Sequence, residues 1–189
     1  MGKVVTEHLP ILQEDETMSR LNARHAALTA LAAVALFASV TTGAATAEPH
    51  EYLIVPVHSQ KCLDVLDVDP GDDADIVQWT CDGRVSQRFS AAPSDDGTWS
   101  FWSQATGRCL QAAPVTQEGG DVLQRTCDGG TVQRWRVEGE GAYGYQLVSD
   151  HTGQCLEVEY ASHDDGAEVR QYPCHGQTNQ RFSFDGVPA

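Results

Sequence analysis

The sequence predicts an all-β domain, closed or layered, assembled from three copies of one unit. Three observations carry this reading. First, residues 61–89 contain KCLDV, an acidic turn, IVQWTC and SQRF. The same order returns as RCLQA, VLQRTC and VQRW over 108–135, and as QCLEV, VRQYPC and NQRF over 154–182. The first Cys of each copy stands at 62, 109 and 155, the second at 81, 127 and 174, and the Gln of the last motif at 87, 133 and 180. All three markers therefore advance in steps of 46 or 47 residues, and a fixed period shared by several markers is the mark of an internal repeat. Second, each copy opens on an alternating stretch rich in aromatic and β-branched residues, which reads as strand. Third, Gly- and Asp-rich turns follow at nearly even intervals with no convincing helix between them, the pattern of an all-β barrel or sandwich.

Taken in order, residues 20–47 read as a secretory leader. Arg20 and Arg24 form its basic end, AALTALAAVALFASV (26–40) its apolar run, and Ala45-Thr46-Ala47 an A-x-A cleavage site. The apolar run is too short to span a bilayer, which needs roughly 20 residues, so no stable membrane insertion is expected. Residues 1–17 carry Glu7, Glu14, Asp15 and Glu16 where a leader should be basic, which makes Met18 the more natural start. The mature domain is then 48–189, with repeats at about 51–97, 98–141 and 142–186, and it is expected to be secreted and extracellular. It keeps 23 of the 27 acidic and 9 of the 12 basic residues, for a net charge of −14. Such a surface repels phosphate backbones and excludes nucleic acid as a partner.

Within each repeat, YLIVPV (52–57), WSFWSQ (99–104) and YQLVSD (145–150) form the first strand. Tyr52, Trp99 and Tyr145 sit ten residues before the first Cys, and Ile54, Phe101 and Leu147 eight before it. A short turn leads to the strand carrying CLDV, CLQA or CLEV, and a polar turn (DPGDDAD, TQEGGD or HDDGAE) to a third strand that ends on the second Cys. A Gly-containing turn then leads to the fourth strand, QRFSA, QRWRV or QRFSF. Leu63, Leu110 and Leu156, with Phe89, Trp135 and Phe182, make three equivalent sets of core residues, because no copy of this size buries enough apolar area alone.

All six Cys follow the leader, and an even count in a secreted chain implies disulfides. The repeat selects one economical pairing: Cys62–Cys81, Cys109–Cys127 and Cys155–Cys174. A metal reading would require clustered Cys or His spacing, which is lacking. The Asp67, Asp69, Asp72, Asp73, Asp75 run does not match a Ca²⁺ loop either, since Pro70-Gly71 interrupts it and no Glu closes it. Asp150-His151 and Ser162-His163-Asp164 are neighbours in sequence, but a triad is defined by geometry rather than adjacency, and no pair of carboxylates is marked out for glycoside hydrolysis. The expectation is a non-enzyme that needs no metal or cofactor and acts as a monomer.

The thrice-repeated pattern C-L-D-V … Q-W-x-C … Q-x-(W/F) resembles the ricin B-type lectins, a family also found as carbohydrate-binding modules on secreted glycosidases. The resemblance covers about 52–184 and implies a β-trefoil, three four-strand repeats around a pseudo-threefold axis. Two copies end in QRF rather than QxW, but either ring fills a core. The resemblance also implies one shallow sugar site per repeat: an acid in CL(D/E), an aromatic two residues before the second Cys, and an Asn-Gln pair at the last motif. The chemistry is intelligible without the family. A pyranose has a face of C–H groups that a flat ring meets and a rim of hydroxyls for which a carboxylate is a strong acceptor.

Carried over residue by residue, the first repeat offers Asp64, Trp79, Ser86 (where Asn is usual) and Gln87, with Trp79 expected to point outward, opposite to Gln78. Val77 stands where the family often has Gln. The third repeat offers Glu157, Tyr172, Asn179 and Gln180, with Arg170 at that same position, placed to pair with Glu157 and weaken the site. The second repeat has Gln111 and Arg125 in place of acid and aromatic, and Val132 in place of Asn, so no site of this type is expected there. The implied function is a secreted, non-catalytic lectin with sugar sites in the first and third repeats. It binds a mono-, oligo- or polysaccharide, and multivalency combines weak sites. The alternative is a β-trefoil acting by protein–protein contact, of the protease-inhibitor or toxin-binding-subunit type.

Overall fold

The computed structural model describes residues 51–114 and 119–186. The leader reading, and with it the Met18 start, lies outside these. Twelve strands follow one another among the described residues. They are β1 (Glu51–Pro56), β2 (Cys62–Val65), β3 (Ile76–Trp79), β4 (Arg88–Pro93), β5 (Trp99–Ser103), β6 (Cys109–Ala112), β7 (Gly120–Arg125), β8 (Trp135–Glu140), β9 (Gly144–Ser149), β10 (Cys155–Val158), β11 (Ala167–Tyr172) and β12 (Phe182–Gly186).

Six of them close a barrel. β1 pairs with β4, β4 with β5, β5 with β8, β8 with β9, β9 with β12 and β12 with β1, all antiparallel. Closure leaves the barrel without a free edge. The other six form three hairpins, β2–β3, β6–β7 and β10–β11, which meet one another over one end of the barrel. β11 pairs with both β3 and β7, and a bridge between Asp75 and Leu123 joins the remaining two. Six barrel strands capped by three hairpins in threefold arrangement is a β-trefoil.

The repeat-equivalent apolar residues converge on one core. Ile54, Phe101 and Leu147, Leu63, Leu110 and Leu156, and Phe89, Trp135 and Phe182 are all buried. The single Trp of the last set has a use for its indole N–H, which donates to the Leu110 carbonyl at 3.1 Å. Phe89 and Phe182 need no such partner.

Two boundaries differ from the sequence expectation. The third strand of each repeat ends two residues before the second Cys, at Trp79, Arg125 and Tyr172. The Gln of each QR motif lies not on the fourth strand but in a three-residue 3-10 turn, Val85–Gln87, Thr131–Gln133 or Thr178–Gln180. The physical reason is in the hydrogen bonds. Gln87 Oε1 accepts from the amides of Asp82 and Gly83 while its Nε2 donates to the Thr80 carbonyl. Gln133 and Gln180 repeat this at Asp128 and Thr126, and at His175, Gly176 and Pro173. One side chain thus ties down the loop that follows each second Cys, a geometry that a strand position does not offer.

The disulfides pair as expected, Cys62–Cys81, Cys109–Cys127 and Cys155–Cys174, with Cα atoms 5.0–5.1 Å apart. Each staples the start of a hairpin to the loop beyond its end. Full reduction is expected to lower stability by about 2–5 kcal/mol per bridge; denaturant curves with and without a reductant measure it.

A second set of ties joins the repeats to each other. Gln78, Gln124 and Gln171 are buried and equivalent. Gln78 Nε2 donates to the carbonyls of Ser162 and Asp164 in the third repeat. Gln124 Nε2 donates to those of Asp69 and Gly71 in the first, and Gln171 Nε2 to those of Ala113 and Asp121 in the second. Each Oε1 accepts a hydroxyl from its own repeat: Ser59, Thr106 or Thr152. The polar loop of every repeat is therefore held by the hairpin of another, in a closed cycle.

Candidate functional site

In the first repeat Asp64 lies on β2 and Trp79 ends the antiparallel partner β3. Gln78 is fully buried, so alternation along β3 turns Trp79 toward solvent, where it is half-buried. Asp64 is only 3% exposed, and its Oδ2 accepts from Gln87 Nε2 at 3.0 Å; among the described residues none donates to Oδ1. Arg84 sits at the rim, its guanidinium 5.9 Å from the Trp79 ring and 3.9 Å from Asp64 Oδ2, but its hydrogen bonds go to Asp82. Ser86 is buried beside Gln87, and its hydroxyl has no partner among the described residues. A recessed carboxylate with an open oxygen and a half-exposed indole stand together.

The second repeat keeps the framework without the chemistry. Gln133 Nε2 donates to Gln111 Oε1 at 3.0 Å, copying the Gln87–Asp64 bond with a neutral acceptor. Arg125, in the aromatic's place, pairs with Asp73 of the first repeat.

In the third repeat every predicted residue is brought together, but the arrangement is crowded. Glu157 is 3% exposed. Its Oε2 accepts from Gln180 Nε2 and from His175 Nε2, both at 2.8 Å. Its Oε1 accepts from Arg170 Nε and a second guanidinium N–H at 3.3 and 3.2 Å. Asn179 is buried, its Nδ2 donating to the Val158 carbonyl at 3.1 Å while its Oδ1 has no partner among the described residues. Tyr172 is half-buried at the end of β11.

Each aromatic is flanked by the β2–β3 type loop of another repeat, a contact that motif reading did not foresee. Gly166 of the third repeat lies against Trp79, and Gly119 of the second against Tyr172. Both have positive φ, and a Cβ on Gly119 would stand 2.5 Å from the Gln171 carbonyl oxygen and 3.2 Å from the Tyr172 ring. The Thr80 amide beside Trp79 is capped by Asp165 of the third repeat, which Lys61 also contacts, each at 2.7 Å. Asp72 caps Thr126 in the same way and pairs with Arg108. Pro173 stands at the third equivalent position and has no N–H to offer. The one sequence signal for this cross-repeat wiring was the recurrence of Gln at 78, 124 and 171 with the same period.

These clamps make stability sensitive to acid. Lys61, then Thr80, hold the Asp165 carboxyl below its ordinary value, and the Thr126 amide does the same for Asp72. A carboxyl lowered in the fold contributes fully above its ordinary pKa of 3.8, and the contribution is lost as pH falls through the lowered folded value. His58 works in the same direction at higher pH. Burial, with the neighbouring His163 ring adding to it, pushes its pKa down from 6.5 against the opposing pull of the Ser162 carbonyl that accepts from Nε2; Nδ1 is buried without a partner among the described residues. The melting temperature is therefore expected to fall in two stages on acidification, the first beginning below about pH 6.5 and the second below about 3.8. His58→Gln removes the first, and Asp72→Asn with Asp165→Asn reduces the second, to which Asp82, held low by Arg84, and Asp96, held low by Thr98, also contribute; melting curves across pH decide it.

The ricin-type β-trefoil lectin domain matches residues 50–182. The chain belongs to the ricin-type β-trefoil lectin family. Among solved structures, this ricin-type domain is similar to a designed threefold-symmetric protein, ThreeFoil, at 33% identity and a TM-score of 0.69, covering 72% of this chain and 99% of that one. It is also similar to an exo-β-1,3-galactanase from Clostridium thermocellum at 32% identity and a TM-score of 0.70, covering 75% of this chain but only 31% of the enzyme. The C-half of an earthworm R-type lectin, solved with GalNAc, shares the fold at 18% identity and a TM-score of 0.59, covering 74% of this chain and all of that one. No curated protein sequence matches the chain. Among the described residues no helix is long and apolar enough to cross a membrane.

Proposed function

We propose that this protein is a secreted, non-catalytic lectin whose principal sugar site is Asp64, Trp79, Ser86 and Gln87, with a second at Glu157, Tyr172, Asn179 and Gln180. The observation that carries the reading is the first site. A carboxylate oriented by Gln87 and open at one oxygen stands beside an indole that the strand presents to solvent. That pairing meets both surfaces of a pyranose, the C–H face through the ring and the hydroxyl rim through the carboxylate. Three intact disulfides fit an oxidising, extracellular setting. Membership of a lectin family and the GalNAc complex of the earthworm relative support sugar as the ligand and make galactose-type saccharides the first probes.

The test is a glycan array probed with the purified, disulfide-bonded protein, followed by titration calorimetry with the best saccharide. Binding to at least one neutral saccharide is expected. A folded protein that binds nothing on the array refutes the reading.

A further inference from the structure

We propose that Arg170 is a built-in occupant of the third repeat's sugar pocket, held there by Tyr160 and Glu159, and that these three residues set the affinity of that site. The inference rests on the sugar-binding reading above and concerns how its second site works.

The geometry of Arg170 is that of a bound ligand. Its guanidinium carbon lies 4.8 Å from the Tyr172 ring centroid, within cation–π distance. That is the ring on which a pyranose would stack. Two of its N–H groups donate to Glu157 Oε1, the carboxylate that would accept the sugar hydroxyls. With His175 and Gln180 on Oε2, all of the roughly four acceptor positions of this carboxylate are in use. A sugar therefore finds ring and acid already engaged.

Two further residues close the arrangement from outside. Glu159 Oε1 accepts from the Arg170 guanidinium at 2.8 Å, and the Tyr160 ring covers it at 5.1 Å. Tyr160 is 82% exposed and has a left-handed backbone, φ 52° and ψ 19°. The equivalent position of the first repeat, Asp67, has the same conformation at φ 55° with a residue type that tolerates it better. A large aromatic displayed to solvent on such a backbone has no packing role, and the ring contact that involves it is the one with Arg170.

The other repeats lack this device for a reason visible in the strand register. Glu157 faces Arg170 across β10–β11, whereas Asp64 faces Val77 and Gln111 faces Leu123. Neither aliphatic residue can donate to the acid opposite. Arg84 of the first repeat stands farther from its ring, at 5.9 Å, and its side chain is 45% exposed against 20% for Arg170. The first site is therefore only loosely flanked by its arginine, which pairs with Asp64 Oδ2 at 3.9 Å, whereas the third is filled by its own. Sugar enters the third site only in the fraction of molecules in which Arg170 has swung out, and the apparent affinity falls by that fraction. The intact protein then titrates with close to one site rather than two.

The test compares the full protein carrying Trp79→Ala, which silences the first site, with Trp79→Ala/Arg170→Gln and Trp79→Ala/Tyr160→Ala, on the glycan array and by calorimetry with the strongest saccharide. Arg170→Gln is expected to raise third-site affinity at least tenfold and Tyr160→Ala about threefold, with Tyr172→Ala cancelling both gains. Should Arg170→Gln disturb folding by circular dichroism, Tyr160→Ala and Glu159→Gln loosen the same guanidinium without touching it. No gain in any of these variants, in a protein whose wild type binds through Trp79, overturns this proposal and leaves the lectin reading standing. A loss of affinity in Tyr160→Ala overturns it too, since Tyr160 would then be a sugar platform. An array that is blank for wild type and all variants sinks the lectin reading, and this inference with it.

Discussion

Gln171→Leu is expected to lower stability by about 2–4 kcal/mol. Gln171 is fully buried, and its amide serves three groups at once: the Ala113 and Asp121 carbonyls of the second repeat and the Thr152 hydroxyl of its own. Leu fills the space but satisfies none of them. Each buried polar group left without a partner costs about 1–3 kcal/mol, reduced where water can reach it. At roughly 3 °C per kcal/mol for a domain of this size, the melting temperature should fall by about 10 °C. Because the cycle is closed, Gln78→Leu and Gln124→Leu should cost similar amounts. A Gln171→Leu variant that melts within about 1 °C of wild type would show that the loops are held by the backbone and disulfides instead.

Trp79→Ala should remove sugar binding at the first site while leaving the melting temperature nearly unchanged. The ring is half-buried and lies outside the apolar core, so its loss removes little folding energy. Stacking on that aromatic face contributes about 0.5–1.5 kcal/mol beyond the area covered, which together with lost burial is a tenfold or greater drop in affinity. Asp64→Asn keeps the shape and exchanges a charge-assisted acceptor for a neutral one, at about 1–2 kcal/mol. Arg125→Ala, which breaks the pair with Asp73, should leave sugar affinity untouched. Calorimetry on these three variants separates ring, acid and unrelated surface. Undiminished binding in Trp79→Ala would move the site elsewhere.

Much of the fold was legible because the repeat carries its own internal checks. Cys, Leu and aromatic positions recurring in step identify equivalent places without any structure, and a disulfide joining the two Cys within each copy is the simplest pairing consistent with the period. The acid and aromatic of the candidate sites were legible for the same reason, and so was the missing pair in the second repeat. The QR motif misled on one point. Alternation continues through Gln87-Arg88-Phe89 as though it were strand, yet Gln87 belongs to a 3-10 turn, because its amide must reach both the loop after Cys81 and the Asp64 carboxylate. Periodicity reports which residues share a face and cannot report such a hydrogen bond.

The sequence by itself thus determined the threefold all-β architecture, the disulfide framework and the inequality of the three repeats, since these depend on residue type at equivalent positions along one chain. Only the tertiary structure decided what lies between repeats. Gly166 and Asp165 beside Trp79, Gly119 beside Tyr172, and the cycle of Gln78, Gln124 and Gln171 join segments some 50 to 90 residues apart. It also decided that Arg170 lies against both Glu157 and Tyr172. Its pairing with Glu157 was readable as a possibility from charge alone, but the placement between Tyr160 and Tyr172 depends on strand register and on a left-handed turn at Tyr160. Such contacts are set by where barrel closure places each hairpin, and no local pattern encodes that.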